Sequence, residues 1–227
     1  NVRAILVPHA GYQYTGRLAA MGFKSCADRN IKNVVLLAPV TRDAEDGIFL
    51  SDFDSFETPL GKVEVSKEMS ERIINHKGRI SINNFPFTEE HSIEVQIPFI
   101  QHLFPDAKII PIHMGRQNAG TVKQLSKALK NAFKDEMDST LFVVSGNLSP
   151  YTKSEIASEY AENLITLIKN SDYDTMLKSL QDLLPNSAGC LIAAIGMSDT
   201  KPKIEILGTS DSGGDKVVCY GAVAISF

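Results

Sequence analysis

The sequence predicts an α/β fold: a three-layer sandwich with a central, mostly parallel or mixed β-sheet covered by helices on both faces. Three observations predict it. Short, β-branched apolar runs recur along the chain. Several are apolar at every position, as strands covered on both faces are. Between them lie segments with apolar residues three and four apart, and strands alternating with helices build a layered sheet. The 227 residues suffice for one substantial core. No low-complexity linker or internal repeat divides them, so residues 1–227 are read as one domain.

The strand-like runs are 3–7, 33–38, 47–50, 108–112, 140–145, 204–207 and 217–227. Val122, Leu125, Leu129 and Phe133 mark one helix. Ile156, Tyr160, Leu164, Ile165 and Ile168 mark a second, which Thr152 and Glu155 would open as a capping box. Met176, Leu177, Leu180, Leu183 and Leu184 mark a third, ended by Pro185 and Asn186. Residues 187–197 read as a small-residue helix able to pack closely.

Composition excludes several functions. The net charge is −4 and no basic run reaches four residues, so no nucleic-acid surface is indicated. No apolar run approaches the length of a membrane span. Cys26, Cys190 and Cys219 are far apart, with no CxxC pair. That argues against a disulfide framework and for a reducing compartment, most simply the cytoplasm. The chain enters a strand directly from Asn1, so a trimmed start or a processed N-terminus is expected.

Ligands of open α/β sheets gather outside the carboxyl ends of strands, so the residues after each strand carry the functional reading. The first strand delivers Pro8, His9, Ala10 and Gly11, then Tyr12 and Tyr14. The second delivers Pro39, Val40, Thr41 and Arg42. The fourth delivers His113, Met114 and Gly115. The fifth delivers Gly146, Asn147, Leu148, Ser149 and Pro150. The sixth runs into "GTSDSGGD", which contains Asp211. The segment "TEEHSIE" places Glu89, Glu90, His91 and Glu94 at an expected helix start.

Each group has a functional and a structural reading. His9, His91 and His113 are on paper a three-histidine set, or two histidines with a carboxylate, as zinc or non-haem iron sites require. Their spacing carries no signature. His113 reads first as a packing or surface residue, and the acidic residues around His91 equally serve a helix N-terminus. His76 and His102 are given no role. "GTSDSGGD" would cradle an anion through its N–H groups or serve as a plain turn. Cys190 and Cys219 read as buried, inert thiols, since nothing cationic flanks them.

The stretches "VRAILVPHAGYQYTG", "EEHSIEVQIPF", "IIPIHMG", "LFVVSGNLSPY" and "GTSDSGGDKVVCYGAVAI" resemble the Memo-like family across nearly the whole chain. Its bacterial and archaeal members are called AmmeMemoRadiSam system protein B. The family is similar in fold to class III extradiol dioxygenases of the LigB type. An upstream AG-aromatic-Tyr-Pro motif of that family is not in this sequence. The resemblance implies that His9 stands at a metal-ligand-type position. It also implies genomic company with AMMECR1-like and radical-SAM proteins.

The chain departs from the family pattern at two motifs. Where Gly-Pro-Ser-His-His is usual, it has Ala38, Pro39, Val40, Thr41 and Arg42. Where Ser-Ser-Asp-x-x-His is usual, it has Ser145, Gly146, Asn147, Leu148, Ser149 and Pro150. Thr41 is a weak ligand and Arg42 repels a cation. Asn147 keeps the shape of Asp without its charge, and Pro150 neither ligates nor donates. His91 and Glu94 are retained.

The chain is therefore read as a member with a degenerate metal site and no resident cofactor. It would bind a small molecule, peptide or protein partner in a cleft lined by His9, Tyr12, Thr41, Arg42, Glu90, His91, Glu94, His113, Asn147 and Asp211. Arg42 would favour anionic groups there. The alternative is an enzyme. One form is a dioxygenase-type oxidoreductase with iron, copper or zinc on His9, His91 and a substitute such as His113. The other is a metal-free acid/base catalyst using His9 with Glu90, His91 or Glu94. A third reading makes these motifs pure scaffold. A homodimer is also allowed.

Overall fold

The computed structural model describes residues 1–41, 45–76 and 78–227. In chain order the elements are β1 (Val2–Val7), α1 (Tyr12–Lys24), β2 (Asn33–Pro39), β3 (Ile48–Leu50), β4 (Ser55–Thr58) and β5 (Gly61–Glu64). Then come α2 (Lys67–Ile74), β6 (Ile80–Ile82), α3 (Phe85–Glu89), α4 (Ile97–Leu103), β7 (Lys108–Met114) and α5 (Ala119–Ala132). The chain continues with β8 (Thr140–Ser145), β9 (Thr152–Lys153), α6 (Ser154–Asn170), α7 (Tyr173–Lys178) and α8 (Ala188–Ile195). It closes with β10 (Lys203–Asp211), β11 (Lys216–Val217) and β12 (Cys219–Ser226).

Eight strands form one sheet in the order β10-β12-β1-β8-β2-β7-β3-β6. The centre is parallel: β1, β8, β2 and β7 run together. The flanks reverse, with β12 antiparallel to β1, β10 antiparallel to β12, and β3 antiparallel to β7. The sheet is thus mixed, with helices on both faces.

The continuously apolar strands divide their side chains by a period of two. Ile5, Val7, Val34, Leu36, Leu141 and Val143 face the layer that contains Phe23 of α1 and Ile97 and Ile100 of α4. Ala4, Leu6, Val35, Leu37, Phe142 and Val144 face the layer of α2, α5, α6 and α8. Each central strand therefore serves two cores, which is why no polar alternation shows in the sequence. Gly22 lets α1 lie close on β1, since a Cβ there would sit 2.4 Å from Val7 Cγ1.

Several local expectations are corrected. Thr152 does not cap α6: it lies in β9, and the N-cap residue Lys153 makes no side-chain cap. "TEEHSIE" is not a helix start. Glu89 ends α3, and a 3-10 turn at Glu94–Gln96 leads into α4. His113 is inside β7 rather than after it. The 176–184 helix stops at Lys178 and tightens into a 3-10 turn at Ser179–Gln181. The final strand is broken at Val218 into β11 and β12. Within "GTSDSGGD" the first four residues extend β10, and the Asp211 carboxylate accepts the Gly213 N–H at 2.8 Å.

Candidate functional site

His9 occupies the turn between β1 and α1. The turn is tight because α1 begins three residues later, with the Tyr14 and Thr15 N–H groups donating to the Gly11 carbonyl. The Thr15 hydroxyl donates to the Ala10 carbonyl at 2.9 Å. A histidine is thereby placed at a strand's carboxyl end, beside the ends of parallel neighbours β8 and β2.

A buried polar network supports it from below. The Gln96 side-chain N–H donates to the Pro8 carbonyl and to Ser145 Oγ, both at 2.9 Å. Ser145 Oγ donates onward to the Ser92 carbonyl at 2.6 Å. Gln96 and Ser145 are fully buried. This network ties the end of β1, the end of β8 and the His91–Gln96 turn into one unit.

Asn147 closes the other side. Its Oδ1 accepts the His9 main-chain N–H at 3.3 Å, and its carbonyl accepts the Ser187 hydroxyl at 2.7 Å. Gly146 allows this approach, since a Cβ there would lie 2.2 Å from the Ser187 Cβ. Thr41, at the end of β2, is committed to Glu90. Its N–H donates to one carboxylate oxygen at 2.6 Å, and its hydroxyl lies 2.8 Å from each oxygen.

The electrostatics keep two imidazoles neutral. Burial, then the neighbouring His91 ring, lowers the His9 pKa to about 4, against a smaller opposing pull from the Ser145 backbone and Glu90. Burial lowers His113 to about 4 as well, opposed by Glu90 and by the Pro39 and Ala38 backbone. Neither His113 ring nitrogen has an aligned hydrogen-bond partner. That ring is buried edge-on against Phe87, with centroids 4.7 Å apart.

A cavity of about 170 Å³ opens over His9, lined also by Pro39, Thr41, Asn147, Ser149 and Tyr151. A second, of about 340 Å³, adjoins it across Thr41, Pro185 and Asn186 and carries Arg116. A larger cavity, about 1200 Å³, is elsewhere. It sits at the amino ends of β2 and β7 among evenly mixed exposed charges, and no site histidine reaches it.

Of the residues expected at the cleft, His9, Thr41 and Asn147 line the cavity. Glu90 is buried and bonded to Thr41. His91 is exposed, its ring edge-on to His9 with centroids 5.8 Å apart. Tyr12 is exposed and donates its hydroxyl to the Val95 carbonyl at 2.9 Å. Glu94 is exposed and near enough to add to the raised Tyr12 pKa, for which burial is the larger cause. Asp211 ends the outermost strand, two strands from β1, and is exposed. Arg42 lies outside the described residues. Cys26 and Cys190 are buried, which pushes their thiols up to about 12. Cys219 is half-buried, and its thiol is raised too.

A transition-metal ion needs about three nitrogen, sulfur or carboxylate donors on one centre. Among the described residues no three His, Cys, Asp or Glu side chains are so arranged. The His9, His91, His113 set considered from the sequence is not assembled, because His113 turns into the core against Phe87. The donors present do not fit the metal that the resemblance implies.

Gln96, Ser145, Ser92 and Ser187 were not singled out by sequence reasoning. Gln96 carried a signal: it sits four residues after Ser92 within "EEHSIEVQIPF", a polar side chain amid apolar neighbours.

Comparison with known proteins places the chain. The family described as Memo-like protein matches residues 1–219. The chain belongs to the Memo-like family. It is 34% identical over 168 residues to a MEMO1 family protein of Pyrobaculum aerophilum, covering 74% of this chain and 60% of that protein. It is 30% identical over 233 residues to one of Nitrosopumilus maritimus, covering 98% of this chain and 84% of that protein. The match thus spans 60% of the length of the Pyrobaculum relative. A solved structure, an uncharacterized protein JW3007 of Escherichia coli K12, is 14% identical with a TM-score of 0.63 and full coverage of both chains. That likeness bears on the fold alone. No helix among the described residues is long and apolar enough to cross a membrane.

Proposed function

We propose that this Memo-like chain is a binding protein rather than a metal-dependent oxidoreductase, and that it takes a small organic ligand at the strand-end cleft over His9. One observation carries the reading. Thr41, standing where the family pattern has histidine, directs both its N–H and its hydroxyl onto Glu90. The Glu90 carboxylate is thus hydrogen-bonded by Thr41 within the protein. Asn147 is similarly engaged, holding the His9 backbone through its amide oxygen. What faces the cavity is a neutral imidazole with uncharged polar groups between apolar walls, a composition suited to ligand binding. One domain, a reducing cytoplasmic setting and functional association with AMMECR1-like and radical-SAM proteins belong to the same proposal.

Equilibrium dialysis against ferrous, cupric and zinc ions tests it. The native chain is expected to bind these ions no more tightly than a His9→Ala variant. A Thr41→His, Asn147→Asp, Pro150→His triple variant, which returns the family's donor types, is expected to gain about 100-fold or more in affinity. A native chain that already binds as tightly as the triple variant, and loses that binding with His9→Ala, defeats the proposal.

A further inference from the structure

We propose that the inner compartment of the cleft recognises an uncharged ring through an amide-type edge, one carbonyl and one N–H side by side, read by the Asn147 amide and the His9 ring. The inference rests on the ligand-binding reading above and names the ligand class for that site.

The orientation of Asn147 decides the chemistry. Its Oδ1 is held by the His9 main-chain N–H at 3.3 Å. With the oxygen directed at that backbone, the two N–H donors on Nδ2 are the part of the side chain left for the cavity. A second anchor, the Ser187 hydroxyl on the Asn147 carbonyl, fixes the backbone at 2.7 Å. Of the His9 ring nitrogens, Nδ1 is the buried one. Nε2 is taken as the nitrogen on the cavity side, and in the neutral ring it serves as an acceptor when the proton sits on Nδ1. A donor and an acceptor stand on neighbouring walls.

An amide or lactam edge answers both groups at once. A carboxylate offers two acceptors and leaves Nε2 facing an oxygen. An ammonium offers only donors and leaves Nδ2 unmet. Either mismatch strands a polar group on binding, which is where hydrogen-bonding sites gain their discrimination. Among the described residues lining this cavity there is no Lys, Arg, Asp or Glu. Pro39, Pro150, Pro185 and Tyr151 provide flat apolar walls. The cavity of about 170 Å³ equals the volume of roughly five or six waters. That is room for one small ring and too little for a peptide.

The test is a titration of isotope-labelled protein with four probes, followed at the Asn147 side-chain amide and the His9 ring by NMR. The probes are 2-pyridone, its N-methyl derivative, benzoate and inorganic phosphate. The 2-pyridone is expected to shift both signals saturably. The N-methyl derivative, which keeps the acceptor and loses the donor, is expected to bind at least about tenfold more weakly. Benzoate and phosphate are expected to bind more weakly still. Asn147→Asp should weaken 2-pyridone by about tenfold or more. Tyr151→Ala, at a wall residue 68% exposed and so without consequence for folding, should weaken it too. Equal binding of the two pyridones, tighter binding of either anion, or no binding of 2-pyridone overturns the inference. Failure here with a cleft that takes up no metal removes the ligand class alone. Tight metal uptake at His9 removes the parent reading.

Discussion

Acidification from pH 7 to pH 4 is expected to cost the protein several kcal/mol of stability through two histidines. His113 and His9 are held near pKa 4 in the fold, mainly by burial, against about 6.5 in an unfolded chain. Between those values the unfolded state binds more protons than the folded state, so stability falls as pH falls through the window from about 6.5 to about 4. Below the window both states are protonated and the loss stops growing. For the fully buried His113 the difference is on the order of 3 kcal/mol. For His9, whose ring reaches the cleft, it is smaller. Asp138, held low by Arg3, and Asp172, held low by the Thr175 N–H, are both exposed. Their contribution starts to be lost as pH falls through the ordinary carboxylate range, so it enters only at the acid end of this window. Urea unfolding midpoints at several pH values measure the effect, and His113→Leu isolates it. That variant is expected to be at least as stable as the native chain at pH 7, because the imidazole it removes has no aligned hydrogen bond. It should also lose much of the pH dependence. An unchanged pH profile in His113→Leu would contradict the burial argument.

Gln96→Leu is expected to destabilise the protein by about 3 kcal/mol and to loosen the cleft. The substitution puts a branched apolar side chain, one bond shorter, in place of the amide and removes the donor shared between the Pro8 carbonyl and Ser145 Oγ. Two buried polar atoms are then left short of a partner, at about 1–3 kcal/mol each. Leucine recovers part of the loss as apolar burial. Since Pro8 precedes His9, the turn carrying the imidazole loses its lower support. The unfolding midpoint reports the energy, and hydrogen exchange at the 9–15 amides reports the loosening. Loss of stability without faster exchange at those amides would limit the network to a packing role.

The sheet was largely legible because its strands are short, apolar and buried on both faces. Thr140–Ser145 matches its expected span at both ends. α1 was missed for a physical reason: it starts immediately after a Gly-containing turn with no side-chain cap, and its tyrosines at the start are exposed. The β4–β5 hairpin and α2 were also missed, being short elements whose one buried side is fixed by tertiary packing. His9 at a strand-to-helix turn was readable from "VPHAGY". The commitment of Thr41 to Glu90 was not, since it joins residues 49 apart in sequence. His113 was placed after its strand and lies inside β7, but the packing reading it was given holds, with its buried ring against Phe87.

The metal content of the chain purified without chelator, measured by elemental analysis per mole of protein, bears most directly on the whole account. The donor arrangement around His9 predicts iron, copper and zinc all far below one equivalent, with no difference between native protein and His9→Ala. One full equivalent of any of them in the native chain, lost in His9→Ala, would contradict it.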